Sequence, residues 1–465
     1  MYFYNHKRLD YGKSIGKYRW TICGLLFFAT TINYLDRQVL SLLAPELTHQ
    51  FGWSNSDYGN ITAVFQFVYA ISLLFAGRFI DKLGTKWGFA IAIIIWSLGA
   101  MMHAHAIDIG NGANSVMGWI GLASIPVSIL GFVIARAVLG IGESGNFPAA
   151  IKTTAEYFPK KERALATGIF NSGSNIGAIL APLTVPVLSE KYGWESTFMI
   201  IGGIGFLWLI FWFILYETPE KQKKLSTEEL AYIRSDVDKT VDQSENPEDA
   251  KKVSWFRLLQ YKQTWAFAIG KFLTDGVWWF FLFWLPKYLE GQYHLSGKEL
   301  ALPLFVLYSM TMVGSISGGW FPMYFIKKGY QAYDGRMRAM FFIALCPLIV
   351  LAAQPLGSFG YWVPVILIGL GASAHQAWSA NIFTTVSDMF PRKTVASVTG
   401  IGGMAGGIGG VIISKIGGPL FDFYEKKGSI ETGYTIMFTY CAIAYILAWG
   451  IMKLLVPKYR PITDL

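Results

Sequence analysis

Twelve stretches of mostly apolar residues, each near the length that crosses a bilayer as a helix, occupy most of this chain: roughly 19–44, 58–80, 86–106, 119–149, 165–188, 195–216, 263–289, 300–326, 338–354, 361–388, 395–417 and 432–456. With 53% of 465 residues hydrophobic and only 15% charged, no water-soluble core could absorb that much apolar surface. The expected fold is therefore an all-α polytopic membrane protein with twelve transmembrane helices and the lipid bilayer as its surroundings. The net charge of +9 does not suggest nucleic acid, because its placement follows the connections between spans. Lys7, Arg8, Lys13, Lys17 and Arg19 lie at the start. Arg78, Lys82 and Lys86 lie between spans 2 and 3, and Lys160, Lys161 and Arg163 between spans 4 and 5. Lys327, Lys328, Arg336 and Arg338 lie between spans 8 and 9, Arg392 and Lys393 between 10 and 11, and Lys458 and Arg460 after span 12. The alternate connections 45–57, 105–118 and 355–361 contain no Lys or Arg, so the positive-inside rule puts both termini in the cytoplasm. Span 1 is too long for a signal peptide and lacks a small-residue cleavage site, which reads as an uncleaved first helix. Cys23, Cys346 and Cys441 sit in apolar spans without metal spacing and read as small core residues.

The chain divides in the middle. Residues 217–262 are too polar to span and separate an N-terminal six-helix half, 1–216, from a C-terminal six-helix half, 263–465. Within this linker Ser226-Thr227-Glu228-Glu229 has the pattern of a helix start, with Ser226 as cap and Glu229 closing a capping box. The halves share a repeat. The stretch Phe158-Pro159-Lys160-Lys161-Glu162-Arg163-Ala164-Leu165-Ala166-Thr167-Gly168-Ile169 matches the stretch from Phe390-Pro391-Arg392-Lys393 to Thr399-Gly400-Ile401, at an offset of 232 residues. Two pseudo-symmetric halves are a transporter design with substrate near the midplane between them. The same offset carries Glu143 onto His375.

Charges inside spans cost a few kcal/mol each and usually face a bundle interior or a water-filled path. Asp36 and Arg37 interrupt span 1, and Arg136 and Glu143 interrupt span 4. Arginine presents a planar, permanently charged donor fork that suits a carboxylate. Two of them fit an anionic ligand and would repel a cation. The alternative is that each arginine locks helix packing by pairing with an acid. On a helix Asp36 and Arg37 point about 100° apart, and Arg136 and Glu143, seven residues apart, share a face but are too distant to touch. Asp36 and Glu143 are the candidates for carrying protons, since burial favours the neutral acid and a nearby arginine the carboxylate. A bound anion would compete for the arginines and ease protonation, and linkage makes that help reciprocal. His375 either titrates or donates to a ligand, or is a satisfied core histidine, with Gln376 as companion. Tyr34, Tyr69, Asn171, Ser174, Asn175 and Asn381 are polar groups in spans that serve either a hydroxylated ligand or helix–helix contact. One of Trp278 and Trp279, with Trp279 preferred, is expected to stack on the ligand. The glycines at 402, 403, 406, 407, 409 and 410 crowd span 11. No strand precedes them and no Lys-Ser/Thr follows, so they are not a phosphate loop but a surface for close helix approach.

The stretch Gly77-Arg78-Phe79-Ile80-Asp81-Lys82-Leu83-Gly84-Thr85-Lys86 resembles the signature between helices 2 and 3 of the major facilitator superfamily. Asn33-Tyr34-Leu35-Asp36-Arg37 and Arg136 through Glu143-Ser144-Gly145-Asn146-Phe147-Pro148 resemble its anion:cation symporter family. Ala374-His375-Gln376-Ala377 and the run from Trp278 to Pro286 are most similar to the hexuronate branch. The resemblance spans essentially the whole chain and implies a major facilitator fold in a bacterial cytoplasmic membrane, a monomer, and no cofactor, metal or enzymatic activity. It implies proton-coupled import of a sugar-acid anion, most simply a hexuronate. Arg37 and Arg136 would bind the carboxylate, and Asp36 and Glu143 would match protonation positions. Tyr34, Tyr69 and Ser174 would match substrate contacts, and Arg78 and Asp81 would form a cytoplasmic latch. The galactonate branch has asparagine in span 11 where this chain has glycine, which points away from galactonate itself. Other carboxylates with sodium coupling or exchange, and a membrane sensor on the same scaffold, are the rival readings.

Overall fold

A backbone in hydrocarbon must satisfy its N–H and C=O groups within itself, and this chain does so with helices. The computed structural model describes residues 16–235, 253–463 and 465; Lys7, Arg8, Lys13 and residues 236–252 of the linker lie outside them. The helices are α1 (Tyr18–Phe51), α2 (Asn55–Leu83), α3 (Thr85–Met102), α4 (Ala106–Trp119), α5 (Val127–Glu143), α6 (Asn146–Tyr157), α7 (Lys160–Leu215), α8 (Thr227–Ile233), α9 (Trp255–Leu258), α10 (Lys262–Tyr293), α11 (Ala301–Lys327), α12 (Ala332–Leu345), α13 (Trp362–Met389), α14 (Arg392–Lys426) and α15 (Ile430–Leu455).

Among the described residues nine helical segments are long and apolar enough to cross a membrane. One of them, within α7, is a hairpin. Straight, its 56 residues would run about 84 Å, far beyond a bilayer. It reverses at Gly193, whose φ of 82° is closed to most other residues. Both ends of α7 meet the start of α1: Glu162 pairs with Arg19, and the Leu215 carbonyl accepts from the Tyr18 hydroxyl. The two remaining crossings, α1 and α13, are not among the nine. They carry Asn33, Asp36, Arg37 and Gln38, and His375, Gln376 and Asn381. The polar residues that lower the apolar character of α1 include those of the candidate site. The crossings match the twelve expected from sequence.

Two local expectations change. The connection 105–118 is largely helical, as α4, and span 4 does not begin at 119 but at Val127. The apolar run 119–126 fails as helix because Gly121 takes φ 75° and Pro126 closes the segment. Asn114 pins it instead, donating to the Ile125 carbonyl at 2.7 Å and accepting from its N–H at 3.0 Å. Span 4 then turns at Ser144–Gly145 and continues as α6. In the linker, Ser226 caps α8 by accepting from the Glu229 N–H at 3.1 Å, but Glu229 does not close a capping box. Its carboxylate accepts from the Tyr18 and Arg19 N–H groups, both at 3.1 Å, and pairs with the Arg19 guanidinium. The orphan donors at the start of α1 outcompete those of its own helix, because α1 also supplies a cation.

Tight packing follows the small residues. Gly173 and Gly177 of α7 lie against the Phe27 and Thr31 carbonyls of α1, where any side chain would overlap. The glycines of α14 work on two faces: Gly406, Gly409 and Gly410 meet α10, and Gly403 and Gly407 meet α2. The side where α1 begins also holds the chain's last residues, with the Ile462 N–H on the Met389 carbonyl. We call it the terminal face and its opposite the distal face.

Replacing Glu229 with Ala strips α1 of its cap and Arg19 of a buried partner. A loss of about 1–3 kcal/mol is expected, read as a lower midpoint of thermal unfolding in detergent; an unchanged midpoint would show that the linker does not anchor α1.

Candidate functional site

The polar positions of α1 gather around Arg37. Its Nε donates to Glu143 Oε2 of α5 at 2.8 Å, and its Nη2 lies 2.7 Å from the same oxygen. Nη2 also faces Asn33 Oδ1 at 3.4 Å, one helical turn back. Both charged side chains are buried, with 4% and 0% of their surface exposed. Four rings surround the guanidinium, with centroids 4.5 Å (Tyr34), 5.0 Å (Tyr69), 5.3 Å (Trp279) and 5.5 Å (Phe65) away. Aromatic faces attract a cation most strongly where water is excluded. Because α1, α2 and α10 each contribute rings, this cage forms only where the three helices converge.

Arg136 is fully buried beside it. Its Nη1 and Nη2 point to the Arg37 backbone carbonyl at 3.4 and 3.5 Å, and its guanidinium lies over Phe65 and Phe283. Its Nε has no partner, and among the described residues it forms no ion pair. The seven-residue spacing on α5 thus acquires a meaning: Arg136 holds the backbone of Arg37 while Glu143 holds its side chain. Asp36 is also buried, and among the described residues neither of its carboxyl oxygens has a hydrogen-bond partner; the same holds for the Gln38 amide and for Glu143 Oε1.

Of the residues named from sequence, Arg37, Arg136, Glu143, Tyr34, Tyr69 and Trp279 come together, with Asp36 buried next to Arg37 in the chain. The remaining ones have other partners. His375 is stacked on Trp278, with ring centroids 5.0 Å apart and planes 4° from parallel, and its Nδ1 is 2.8 Å from the Tyr445 hydroxyl. Asn381 donates to the Gly318 and Ala377 carbonyls and accepts from Arg336, which pairs with Asp388 toward the terminal face. Gln376 and Ser174 are half-buried, Asn175 is buried, and Asn171 is exposed. On the terminal face Asp81 pairs with Lys152 at 2.9 Å, and Arg78 lies over Trp255 of α9. Arg78 and Asp81 are therefore engaged with separate partners. The residues that sequence reasoning passed over are Phe65, Phe283 and a second intramembrane ion pair, Lys271–Asp275 of α10. A helical i, i+4 spacing of opposite charges inside an apolar span was the available signal.

Contacts between the two sets of helices concentrate at the distal face. Asp422, near the end of α14, accepts from the Asn55 N–H at 2.8 Å and from the Ser56 N–H at 2.9 Å, and also from the Ser56 hydroxyl. It therefore caps α2 from across the molecule, where two backbone donors and the helix dipole favour an anion. Glu425 accepts from Asn55 Nδ2, His49 meets Glu290, and Lys298 meets Glu190. At the terminal face the ion pairs Arg19–Glu162, Lys86–Glu217, Lys152–Asp81 and Arg336–Asp388 each stay within α1–α8 or within α10–α15.

Residues 26–414 match the Major Facilitator Superfamily. The chain belongs to that family. It is accordingly a multi-pass membrane transporter and not an enzyme. It is 31% identical over 407 residues to the hexuronate transporter of Escherichia coli (strain K12), covering 87% of this chain and 88% of the relative. It is 33% identical over 356 residues to the galacturonate transporter of Dickeya chrysanthemi, covering 77% and 95%. The fold is similar to that of a bacterial homolog of the human lysosomal transporter Spinster in an inward-facing, unoccupied conformation (TM-score 0.71, 17% identity, 96% of this chain and 98% of that one). It is also similar to the inward-open xylose transporter of E. coli (TM-score 0.65, 14% identity, 96% and 97%).

Removing one member of the Arg37–Glu143 pair strands a charge in a dry site. Arg37→Met or Glu143→Leu alone is expected to destabilise by on the order of 3–5 kcal/mol, and the double variant to recover much of it. Thermal unfolding of the three proteins in detergent checks this; additive losses would deny the pair its coupling.

Proposed function

We propose that this transporter imports a sugar-acid anion, most simply a hexuronate, together with protons by alternating access. The supporting observation is that two buried guanidiniums share one paired carboxylate: Glu143 is taken by Arg37, and among the described residues Arg136 has a backbone carbonyl and two ring faces but no ion pair. Such a site favours a further anion, and a planar carboxylate suits a guanidinium. The faces of Tyr34, Tyr69 and Trp279 offer apolar surface for a sugar's C–H groups, and their polar edges, with Asn33, offer partners for hydroxyls. The hexuronate and galacturonate transporters among its relatives support this substrate class.

In this reading the proton acts at Glu143. Neutral Glu143 no longer holds Arg37, which then joins Arg136 in binding the incoming carboxylate. Anion and proton therefore favour each other's binding, as symport requires. Asp36 is a second place for a proton, because an ionised carboxyl there would be buried without a partner at a cost of several kcal/mol. His375, Gln376, Ser174, Asn171 and Asn381 stand further from this centre, and we assign them to shaping the C-terminal wall and the helix contacts around it. The basic connections support a cytoplasmic terminal face. The distal seam around Asp422 would then close the outer side, and it must part before substrate enters. Asp81–Lys152 and Arg78–Trp255 would act as the latch on the inner side.

In proteoliposomes an inward proton gradient is expected to drive accumulation of labelled glucuronate or galacturonate. Glu143→Gln should keep counterflow but lose gradient-driven accumulation, and Arg136→Met should lower kcat/KM by about 10- to 100-fold, the worth of a charged hydrogen-bonded contact. Uptake that survives collapse of the proton gradient would favour sodium coupling or exchange; uptake of neither sugar acid by folded protein would reject the substrate class. For the seam, Asp422→Ala in a cysteine-free background carrying Ser414→Cys should raise labelling by an impermeant maleimide from the distal side several-fold. An unchanged rate would mean that the cap does not hold the seam shut.

A further inference from the structure

The proposed site uses charges only from α1 and α5, yet α10 buries an ion pair of its own. Lys271 Nζ lies 2.6 Å from Asp275 Oδ2, with 6% and 17% of the side chains exposed. Intramembrane charges are rare and usually face a functional path. This one does more than hold its own helix together. Asp275 presses on Gly406 of α14, and Trp279, one turn further along α10, presses on Gly410, one turn further along α14. Asp275 and Trp279 therefore share the face of α10 that lies along α14, and Trp279 is the ring beside Arg37. Lys271 is anchored on the same stretch, its ammonium 4.3 Å from the Phe383 ring of α13. The order along α10, from the arginine cage toward the terminal face, is Trp279, Asp275, Lys271.

The spacing matches a ligand length. Four residues of helix rise about 6 Å. A six-carbon chain with bonds near 1.5 Å extends about 6 Å from its first to its last carbon. We infer that Lys271–Asp275 reads the end of the substrate opposite the carboxylate held by Arg37 and Arg136, and so selects sugar acids with one carboxylate over those with two. This inference rests on the proposed sugar-acid site. The pair is electrically neutral as a unit. Asp275 can accept from hydroxyls and Lys271 can donate to them, so a polyhydroxylated or aldehyde end is served without an uncompensated charge. A second carboxylate at that end would face the Asp275 carboxylate, and like charges brought together in a partly buried place are disfavoured. Removing the Asp275 charge should reverse the preference, because Lys271 would then be a free cation placed for a second carboxylate. The relatives include transporters described as probable galactarate/D-glucarate carriers, so both substrate classes exist within this family.

The test measures inhibition of labelled galacturonate uptake in proteoliposomes by unlabelled glucuronate and by unlabelled galactarate. Wild type is expected to require at least tenfold more galactarate than glucuronate for half inhibition, and Asp275→Asn to lower that ratio at least tenfold. A retained ratio in an actively transporting Asp275→Asn protein would overturn the inference, as would a wild type that prefers galactarate. The second result would leave carboxylate transport standing, whereas a wild type that takes up neither acid would reject the underlying site. If Asp275→Asn does not reach the membrane, the charge-neutral double variant Lys271→Gln/Asp275→Asn serves. It should raise KM for galacturonate about tenfold with kcat kept and, with the like charge gone but no free cation left, lower the galactarate-to-glucuronate ratio by less than Asp275→Asn does. An unchanged KM would overturn the assignment, and a purely structural role would instead lower the amount of folded protein.

Discussion

The Arg37–Glu143 ion pair is the interaction on which the centre of this molecule depends. A guanidinium and a carboxylate inside a bilayer are each costly, and the cost falls only when they meet with good geometry and further partners. Here the partners come from three directions. Asn33 lies one turn back on α1, the rings of Tyr34, Phe65, Tyr69 and Trp279 face the guanidinium, and Arg136 binds the carbonyl of the same residue. Helices α1, α2, α5 and α10 are tied to one another through a single side chain. Losing the charge of Glu143 would free Arg37 from its partner and loosen the tie between α1 and α5.

The contacts that would have to change are unevenly distributed. At the distal face a helix N-terminus is capped from across the molecule by Asp422, with ion pairs on either side. At the terminal face the ion pairs close on neighbours within the same group of helices. Between the faces, the glycines of α14 let α2 and α10 approach closely on two sides, with Asp275 and Trp279 set against Gly406 and Gly410. The centre thus packs through small residues, and the distal rim through discrete polar contacts.

The linker also takes part in the packing. Glu229 is spent on the start of α1 rather than on its own helix, and Arg78 rests on Trp255 just before α10. A polar segment that reads as a spacer in sequence is here joined to both α1 and α2, so strain in the bundle can be felt outside the membrane.

Much of this was legible in the residues because the bilayer imposes strong rules. Apolar length set the crossings, and charges inside spans marked Arg37, Arg136, Asp36 and Glu143. The exceptions have local causes. The run 119–126 is apolar enough to span, but Gly121 and Pro126 prevent it, and backbone conformation does not enter a hydropathy count. The repeat that carried Glu143 onto His375 related positions in the chain and not environments: His375 lies against Trp278 and Tyr445. By itself, then, the sequence determined a bundle of membrane helices and which of its side chains were too costly to leave unexplained. Only the tertiary structure decided who meets whom. Arg37 reaches Glu143 across 106 residues of chain, Asp422 reaches α2 across more than 360, and Asp275 meets Gly406 of α14. The physical reason is that burial and charge are properties of a residue and its near neighbours, whereas the partner that offsets a buried charge is set by how whole helices pack.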